Sequence, residues 1–428
     1  MKKIYLLLML MSIVAAQSFA QRTLIHCGTL IDGKSDKVQK EMTIVIKDGE
    51  IESVAKGYQS PSQGDSVIDL KSKTVMPGLM DMHVHLEGET SPTSYIDEFK
   101  LNEADIAFNS TVYAKRTLMA GFTTVRDLGG TGVNTALRNA INSGKVVGPR
   151  IYSAGKIIST TGGHGDPTNS YRHDLMGDPA PIDGVVNGPY EARKAVRQHY
   201  KDGADVIKIT ATGGVLSVAK DGSGPQFQMD ELKAIIETAN EYGMITAAHA
   251  HGPEGMKRAV EAGITSIEHG TLMTPEVMEL MKEKGTYYVP TITAGKYVAE
   301  KAKIDGFYPA LVVPKALAIG PKIQSTFGEA YKKGVKIAFG TDAGVFPHGE
   351  NGKEFGYMVE VGMPPMKAIQ SATIVAAQML KIDNKYGSVE KGKKADIIAV
   401  DENPIDNIHT MENVSFVMKD GVVYKSSK

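Results

Sequence analysis

The chain has 428 residues, of which 42% are hydrophobic and 23% are charged, and its formal net charge is -1. This length is sufficient for a large α/β domain with a smaller second module, and the near-neutral charge provides no electrostatic basis for binding nucleic acid or an anionic membrane. Cys27 is the only cysteine, which excludes an internal disulfide and a thiolate metal cluster, so a bound metal would need nitrogen and oxygen ligands.

The first twenty residues have the pattern of an export signal. Two lysines precede an apolar stretch over residues 4–16, and residues 18–20 have the small-x-small spacing of a cleavage site. The apolar stretch is shorter than the roughly 20 residues that span a bilayer, which argues against a permanent anchor. We therefore predict a signal peptide over residues 1–20 and no stable membrane insertion after its cleavage. The mature chain would begin at Gln21 and be exported, either periplasmic or secreted.

Both ends of the mature chain are rich in β-branched residues and turn signals. Asp-Gly pairs at positions 48–49 and 420–421 each separate two apolar runs, which predicts a tight hairpin in each place. Because the two ends share this character and the middle does not, we predict that they fold together. Residues 21–77 and 380–428 would form a small composite β-sandwich domain.

The central segment, residues 78–379, alternates short apolar runs with helical stretches, many of which end at a glycine. Right-handed crossovers between eight strands favour a (β/α)₈ TIM barrel, so the predicted fold class is α/β. The alternative, an open doubly wound sheet, usually has a glycine-rich phosphate loop after its first strand, and this sequence has none. Helices are predicted at Glu191–Tyr200, Met229–Tyr242 and Gly255–Ala262. The strand candidates are Leu79–His85, Thr123–Asp127, Arg150–Ala154, Val206–Thr210, Ile245–His249, Thr265–Glu268, Tyr287–Pro290 and Lys336–Gly340.

Polar side chains occur at the C-terminal ends of several of these strands. His83 and His85 alternate along one strand, so their imidazoles point to the same face. Lys208 interrupts an apolar strand, where a buried ion pair or a snorkelling side chain would be the ordinary explanation. The alternative is that burial leaves the amine neutral, able to add carbon dioxide and form an anionic carbamate. The remaining strand-end groups are His249, His269 and Asp342.

Each of these residues, taken singly, is more often structural than functional. Together they are more informative, because all of them lie at or near the C-terminal ends of predicted strands. The catalytic groups of a parallel barrel occur at these ends. Imidazole, carboxylate and carbamate together suit a divalent transition metal. The long segment over residues 159–189 follows the third strand and is predicted to cover the mouth of the barrel. It contains Arg172, a candidate anchor for a substrate carboxylate.

Five segments resemble the metal-dependent amidohydrolase superfamily, over nearly all of the mature chain. The lysine segment with its Gly-Gly-Val-Leu-Ser tail is the most discriminating, because deaminases of the superfamily usually lack this lysine and hold one metal. The resemblance is closest to the prolidase-like branch, which includes Xaa-Pro dipeptidases, carboxypeptidases that act on N-acyl or dipeptide substrates, and ochratoxin-hydrolysing amidases. The segments are Pro77–His85, Ile207–Ser217, His249–Gly252, Ile267–Thr271 and Gly340–Ala343.

This resemblance implies two divalent metal ions, with zinc preferred, and a hydroxide shared between them as the attacking group. Asp342 would take the proton of this hydroxide and pass it to the departing amine. His164 and His251 match positions that face the substrate in relatives, although several relatives carry tyrosine where this chain has His251. The implied metal ligands are His83, His85 and Asp342 for one ion, His249 and His269 for the other, and a carbamate on Lys208 between them.

The predicted function is an exported binuclear zinc hydrolase that cleaves the amide bond of dipeptides or N-acyl amino acids. One alternative is a hydrolase of cyclic amides or lactones that resembles imidazolonepropionase, and another is a binding protein without turnover. A requirement for a free carboxylate would favour the first function, and activity on ring substrates would favour the second. The expected partner is a small molecule or dipeptide and not a nucleic acid, and an assembly of identical chains is left open.

Overall fold

The computed structural model describes residues 22–220 and 222–426, which form a β-rich module and a ring of parallel strands flanked by helices. The predicted signal peptide over residues 1–20 lies outside these described residues. Among the helices in the described part of the chain, none is both long enough and apolar enough to span a bilayer.

The strands and helices are numbered here in chain order. The strands are β1 (Thr23–Leu30), β2 (Gln39–Lys47), β3 (Glu50–Lys56), β4 (Ser66–Pro77), β5 (Leu79–Val84), β6 (Phe122–Asp127), β7 (Arg150–Ser153), β8 (Val206–Thr210), β9 (Ile245–Ala250), β10 (Ser266–His269), β11 (Tyr287–Val289), β12 (Lys336–Ile337), β13 (Ile397–Val400), β14 (Phe416–Lys419) and β15 (Val422–Ser426). The helices are α1 (Ser94–Asp97), α2 (Glu103–Met119), α3 (Val133–Asn142), α4 (His173–Met176), α5 (Pro189–Lys201), α6 (Met229–Glu241), α7 (Pro253–Glu261), α8 (Pro275–Lys284), α9 (Ile292–Lys301), α10 (Val313–Ile319), α11 (Ile323–Lys332), α12 (Lys353–Glu360), α13 (Pro365–Ser371) and α14 (Ile374–Met379).

Strands from both ends of the chain form one seven-stranded sheet, in the order β15-β14-β13-β4-β1-β2-β3. The two predicted hairpins are confirmed, and both residues of each Asp-Gly pair have positive φ, as a two-residue type I′ turn requires. The start of β3 returns to the segment before β13, where the Ile51 N–H donates to the Lys393 carbonyl. The sheet therefore curls around its own apolar core, which includes Ile25, Ile44 and Phe416.

The barrel strands form a five-stranded sheet, β8 to β12, and a three-stranded sheet, β5 to β7. Every pairing within these two sheets is parallel. Isolated parallel bridges from Val84 to Ala343 and from Ile158 to Ile209 connect the two sheets at both junctions. The strands thus form a ring, and the predicted fold class of a TIM barrel with a separate β domain is confirmed.

The last barrel strand differs from its prediction. The sequence predicts that it continues to Gly340, but the regular strand ends at Ile337. Beyond this point the backbone bonds irregularly to the first barrel strand, where the Asp342 N–H donates to the His83 carbonyl at 2.7 Å. The predicted apolar run therefore extends beyond the regular pairing with β11, which ends at Ile337.

Candidate active site

The strand-end residues identified in the sequence line one cavity of about 190 Å³ at the C-terminal face of the barrel. All of them are buried except His85, which keeps part of its ring exposed. They meet although they are distant in sequence, because parallel strands of one ring all end on the same face. The residues are His83, His85, Lys208, His249, His269 and Asp342.

Asp342 lies closest to the first pair of histidines. Its Oδ1 atom is 3.5 Å from Nε2 of His83 and 3.4 Å from Nε2 of His85. This oxygen is buried and has no hydrogen-bond partner among the described residues, which is unusual for a buried carboxylate. Ligand atoms of His83, His269 and Asp342 also lie within 4.8 Å of one another. This donor set fits a divalent cation.

Three of the histidines are held in place by a partner on Nδ1, the ring nitrogen that faces away from the cavity. The partners of His83 and His85, a carboxylate and a carbonyl, can only accept, so Nδ1 donates and Nε2 stays unprotonated, which is the common arrangement of histidine ligands to metals. The Nδ1 atoms of His83, His85 and His269 lie 3.0 Å from Glu268 Oε2, 2.7 Å from the Gly129 carbonyl and 2.7 Å from Thr291 Oγ1, respectively.

Lys208 is buried in the middle of this group. Its Nζ atom lies 3.4 Å from Nε2 of His83. Burial lowers the pKa of the amine, whereas the acidic groups of Glu268 and Asp342 oppose this shift. Burial likewise raises the pKa of Asp342, and Lys208 opposes it. Burial therefore makes the proton of the amine easier to lose than that of an exposed lysine, and the neutral amine is the form that can add carbon dioxide.

His249 stands apart from the closest group of donors. Its Nε2 atom lies 3.2 Å from the Gly213 carbonyl, and its ring centroid is 4.7 Å from that of His269. It lines the cavity, but it does not belong to the three residues whose ligand atoms lie within 4.8 Å of one another. The structure thus brings His83, His85, His269 and Asp342 close together, with His249 beside His269.

Three residues of the site have a left-handed backbone conformation without being glycine. The φ angles of Thr291, His269 and Asp342 are 54°, 67° and 61°. Such conformations cost on the order of 1–3 kcal/mol each and cluster at functional sites. Here they occur at the end of β10, at the start of α9 and in the segment after β12, so the strain accompanies the placement of the polar groups.

His164 and His251 also line the cavity, as the resemblance implies. The centroid of the His164 ring lies 4.3 Å from that of the His249 ring. The His164 ring also packs against Gly214, where the Cβ atom of any other residue would lie 2.3 Å from it. Nδ1 of His251 is 2.9 Å from Thr271 Oγ1. Burial lowers the pKa of both imidazoles to about 3, so both are neutral near pH 7 and act as hydrogen-bonding groups rather than as cations.

Arg172 is not among the residues that line the cavity. Its side chain is 74% exposed, and its Nε atom donates to Asp174 at 3.0 Å. The predicted carboxylate anchor is therefore turned to solvent and paired within its own helix start. Because a loop residue's direction is not encoded by local periodicity, the sequence did not reveal this orientation.

Comparison with known proteins identifies the family. The sequence profile of the amidohydrolase family matches residues 74–425. The chain belongs to the amidohydrolase family. The crystal structure of a Xaa-Pro dipeptidase with bound methionine in its active site is 57% identical, has a TM-score of 0.93, and aligns over 95% of this chain and 100% of that one. Ochratoxinase from Aspergillus niger is 33% identical over 96% of this chain and 88% of its own length.

A third relative is a prolidase whose crystal structure contains N-methylphosphonate-L-proline. It is 30% identical, with a TM-score of 0.86 over 95% of this chain and 100% of its own. These relatives confirm the predicted family and the predicted enzyme class, a hydrolase that acts on amide bonds. The family is metal-dependent, and in this amidohydrolase His83, His269 and Asp342 provide a site where a metal could bind.

Sequence reasoning missed the ion pair that supports the first histidine. Arg126 of β6 is fully buried, and its Nη2 atom donates to Glu268 Oε1 at 2.8 Å. Glu268 uses its other oxygen to orient His83. A signal was present, since Arg126 is a charged residue inside an apolar strand, as is Lys208. In the amidohydrolase this pair connects two barrel strands beneath the candidate metal site.

A second supporting group surrounds Asp81 below Asp342. The Asp81 carboxylate accepts hydrogen bonds from the backbone N–H and hydroxyl of Thr341, at 3.0 and 2.6 Å, and from the Asn351 amide at 2.8 Å. Burial raises the pKa of Asp81 to about 6. These bonds hold Thr341, the residue before Asp342. In this way the amidohydrolase fixes the direction of the unpartnered Asp342 carboxylate.

A third group holds Thr291, the partner of His269. Glu354 of α12 is fully buried and accepts the backbone N–H groups of Ile292 and Thr293, both at 2.7 Å. These are the first residues of α9, so the carboxylate satisfies N–H groups that a helix start leaves unpaired. Glu354 thereby fixes the turn at Thr291 and, through it, the ring of His269.

Proposed function

We propose that this amidohydrolase hydrolyses the amide bond of dipeptides or N-acyl amino acids with two divalent metal ions, preferably zinc, and a carbamate on Lys208. The observation that carries the proposal is the unpartnered Oδ1 of Asp342, which faces Nε2 of His83 and of His85. The neighbouring Lys208 amine supports a bridging carbamate, since burial lowers its pKa. The kinship to a Xaa-Pro dipeptidase and to ochratoxinase supports the substrate class.

The proposed ligands divide between two ions. His83, His85 and Asp342 would hold one ion, and His249 and His269 the other. Bound ions would polarise the scissile carbonyl and lower the pKa of a water molecule. The protein keeps the ligands aligned through Glu268, Thr291 and the other partners of their outer nitrogen atoms.

Asp342 is proposed to move the proton. Its carboxylate lies among the proposed metal ligands, with Oδ1 3.5 Å from Nε2 of His83 and 3.4 Å from Nε2 of His85, where it would accept a proton from the attacking water. Its Oδ1 atom has no competing hydrogen bond among the described residues. Asp342 can then donate this proton to the nitrogen of the leaving amine. No side-chain nucleophile is needed for this sequence of steps.

His164 and His251 are proposed to bind the free carboxylate of the substrate through neutral N–H groups. Replacing either with alanine should lower kcat/KM for free-acid substrates by about 10- to 100-fold, the usual effect of one hydrogen bond to a charged group. The loss should be smaller for the same substrates with an amidated carboxylate, and the metal content should not change. Equal losses on acid and amide substrates would assign both imidazoles to the reaction centre or to the fold.

The proposed function is tested with a panel of Xaa-Pro dipeptides, N-acyl amino acids, cyclic amides and lactones, together with metal analysis of the purified enzyme. We expect turnover of linear substrates with a free carboxylate and about two metal ions per chain. Activity confined to ring substrates would instead support the alternative hydrolase function. A fully metallated protein without turnover on any substrate would contradict both.

Export is proposed as well, because a hydrophobic signal precedes the mature sequence. Protein isolated from its native host should begin at Gln21 and be recovered outside the cytoplasm. N-terminal sequencing of this material measures the cleavage site directly. Recovery of the chain in the membrane fraction with residues 1–20 attached would refute the cleavage.

A further inference from the structure

The candidate active site has two chemically different halves. The strand ends carry Lys208, Asp342 and most of the imidazoles, whereas another part of the lining, here called the apolar wall, consists of apolar side chains. This apolar wall comes from three regions: the segment after β8, helix α9, and the junction of α10 with α11. It includes Val215, Leu216, Ala294, Val298, Ile319 and Ile323.

The apolar wall is closely packed. Helix α9 contacts the α10–α11 junction at two glycines, Gly295 and Gly320. A Cβ atom on Gly320 would lie 2.5 Å from the Gly295 carbonyl oxygen, and one on Gly295 would lie 2.6 Å from Ile323 Cγ2. The wall therefore has little freedom to move away from or towards a ligand, and its shape is set before a substrate binds.

The part of the wall that follows β8 is held by a buried lysine. Nζ of Lys315 in α10 donates to the carbonyl oxygens of Gly214, Ser217 and Ala219 at 2.9, 2.7 and 2.8 Å. The Tyr95 hydroxyl donates to the Leu216 carbonyl at 2.7 Å. These bonds fasten the Gly-Gly-Val-Leu-Ser tail, so that Val215 and Leu216 face the cavity.

Among the described residues, those that form the apolar wall carry no charged side chain. The lysine and the aspartate that line the described cavity, Lys208 and Asp342, belong to the strand-end half. The ammonium of Lys315 is directed at backbone carbonyl groups. A polar or charged side chain placed against this wall would lose its hydration without gaining a partner, which disfavours it strongly.

We propose that the apolar wall is the subsite for a hydrophobic side chain of the substrate, carried by the acyl group or N-terminal residue of the scissile amide. This inference rests on the proposed function, in which His164 and His251 occupy the carboxylate end and leave the wall to the acyl side. The preferred substrates then carry an aliphatic or thioether side chain at that position.

The first test compares nearly isosteric dipeptides with the same second residue, using the metal-loaded enzyme. Met-Xaa should be cleaved with a kcat/KM about 10- to 100-fold higher than Gln-Xaa, and Leu-Xaa should exceed Asn-Xaa similarly, because the polar members cannot be solvated or paired at the wall. Equal values within both pairs would overturn the subsite.

Two matched variants then locate the preference. Val298→Thr replaces a methyl group of the wall with a hydroxyl of similar size and should reduce the Met-to-Gln ratio several-fold, mainly through KM. Val313→Thr is the control, because Val313 packs against the same apolar cluster without lining the cavity. Identical ratios in Val298→Thr and in the unaltered enzyme would contradict the placement of the side chain.

Lys315→Met tests the positioning of the wall. Without the Lys315 ammonium, the segment over residues 214–219 should become more mobile. KM for Met-Xaa should then rise more than KM for Gln-Xaa, while kcat and metal content are maintained. A change in kcat with no change in the Met-to-Gln ratio would show that Lys315 does not serve the apolar wall. Val298→Thr keeps the proposal testable if this variant does not fold.

Binding of free amino acids separates this inference from the proposed function. Calorimetry with methionine and glutamine on the metal-loaded enzyme requires no turnover. Tighter binding of methionine without hydrolysis of any dipeptide would support the subsite and contradict the hydrolytic function. Hydrolysis of dipeptides without discrimination between these side chains would support the function and contradict the subsite.

Discussion

Replacing Lys208 with alanine should remove much of the bound metal and nearly all of the activity. The carbamate proposed on Lys208 would be the only anionic protein ligand of the second ion, since the other ligands are the imidazoles of His249 and His269. Metal analysis and kcat/KM measure the two losses. Lys201→Ala is a suitable control, because this exposed lysine ends the helix that precedes the same strand.

Bicarbonate provides the complementary experiment on the carbamate. Metal-free wild-type enzyme should regain activity with zinc faster when bicarbonate is added, because a neutral Lys208 amine needs carbon dioxide to form its carbamate. The Lys208→Ala variant should not respond. An unmodified Lys208 amine in a fully metallated, active enzyme, detected by mass spectrometry or crystallography, would falsify the bridge.

Replacing Asp342 with asparagine should leave most of the metal bound but reduce turnover by at least about 100-fold, the usual contribution of a positioned acid–base group. The amide oxygen can still act as a ligand, whereas it cannot accept and return a proton. The measurement is kcat together with the metal content of the same preparation. Asp383→Asn, at an exposed position outside the cavity, controls for the loss of one carboxylate.

Two outcomes of the Asp342 experiment would be informative in opposite directions. Near-normal turnover would remove Asp342 from proton transfer. Loss of most of the metal would show that its charge is needed chiefly for binding. The expected result lies between these, because His83, His85 and a bridging Lys208 would still hold the ion.

Much of the fold was predictable because its signals are local. The Asp-Gly pairs at 48–49 and 420–421 require a backbone that few other residues adopt, and both form tight hairpins. The apolar runs identified the barrel strands, and the bounds of β8 agree with the prediction at both ends. The last strand was predicted too long, because the apolar pattern continues beyond Ile337 whereas the regular pairing with β11 does not.

The candidate ligands were predictable for the same reason. His83, Lys208 and His269 each end or interrupt an apolar strand. Each is therefore recognisable as a polar residue from a few apolar neighbours in the sequence. A barrel places all strand ends on one face, and the sequence order of the strands therefore sufficed to bring these groups together. Arg172 lies in a loop, where no such rule applies, and it turned out to face solvent.

The sequence by itself determined the barrel and the polar groups at its mouth, because each depends on local periodicity and on a topology with few alternatives. Only the tertiary structure decided which residues support those groups and what faces them. Arg126 meets Glu268 across 142 residues, and Asn351 meets Asp81 across 270. The apolar wall likewise joins segments from three parts of the chain. Such contacts depend on side-chain packing between distant elements, and no local pattern in one sequence specifies them.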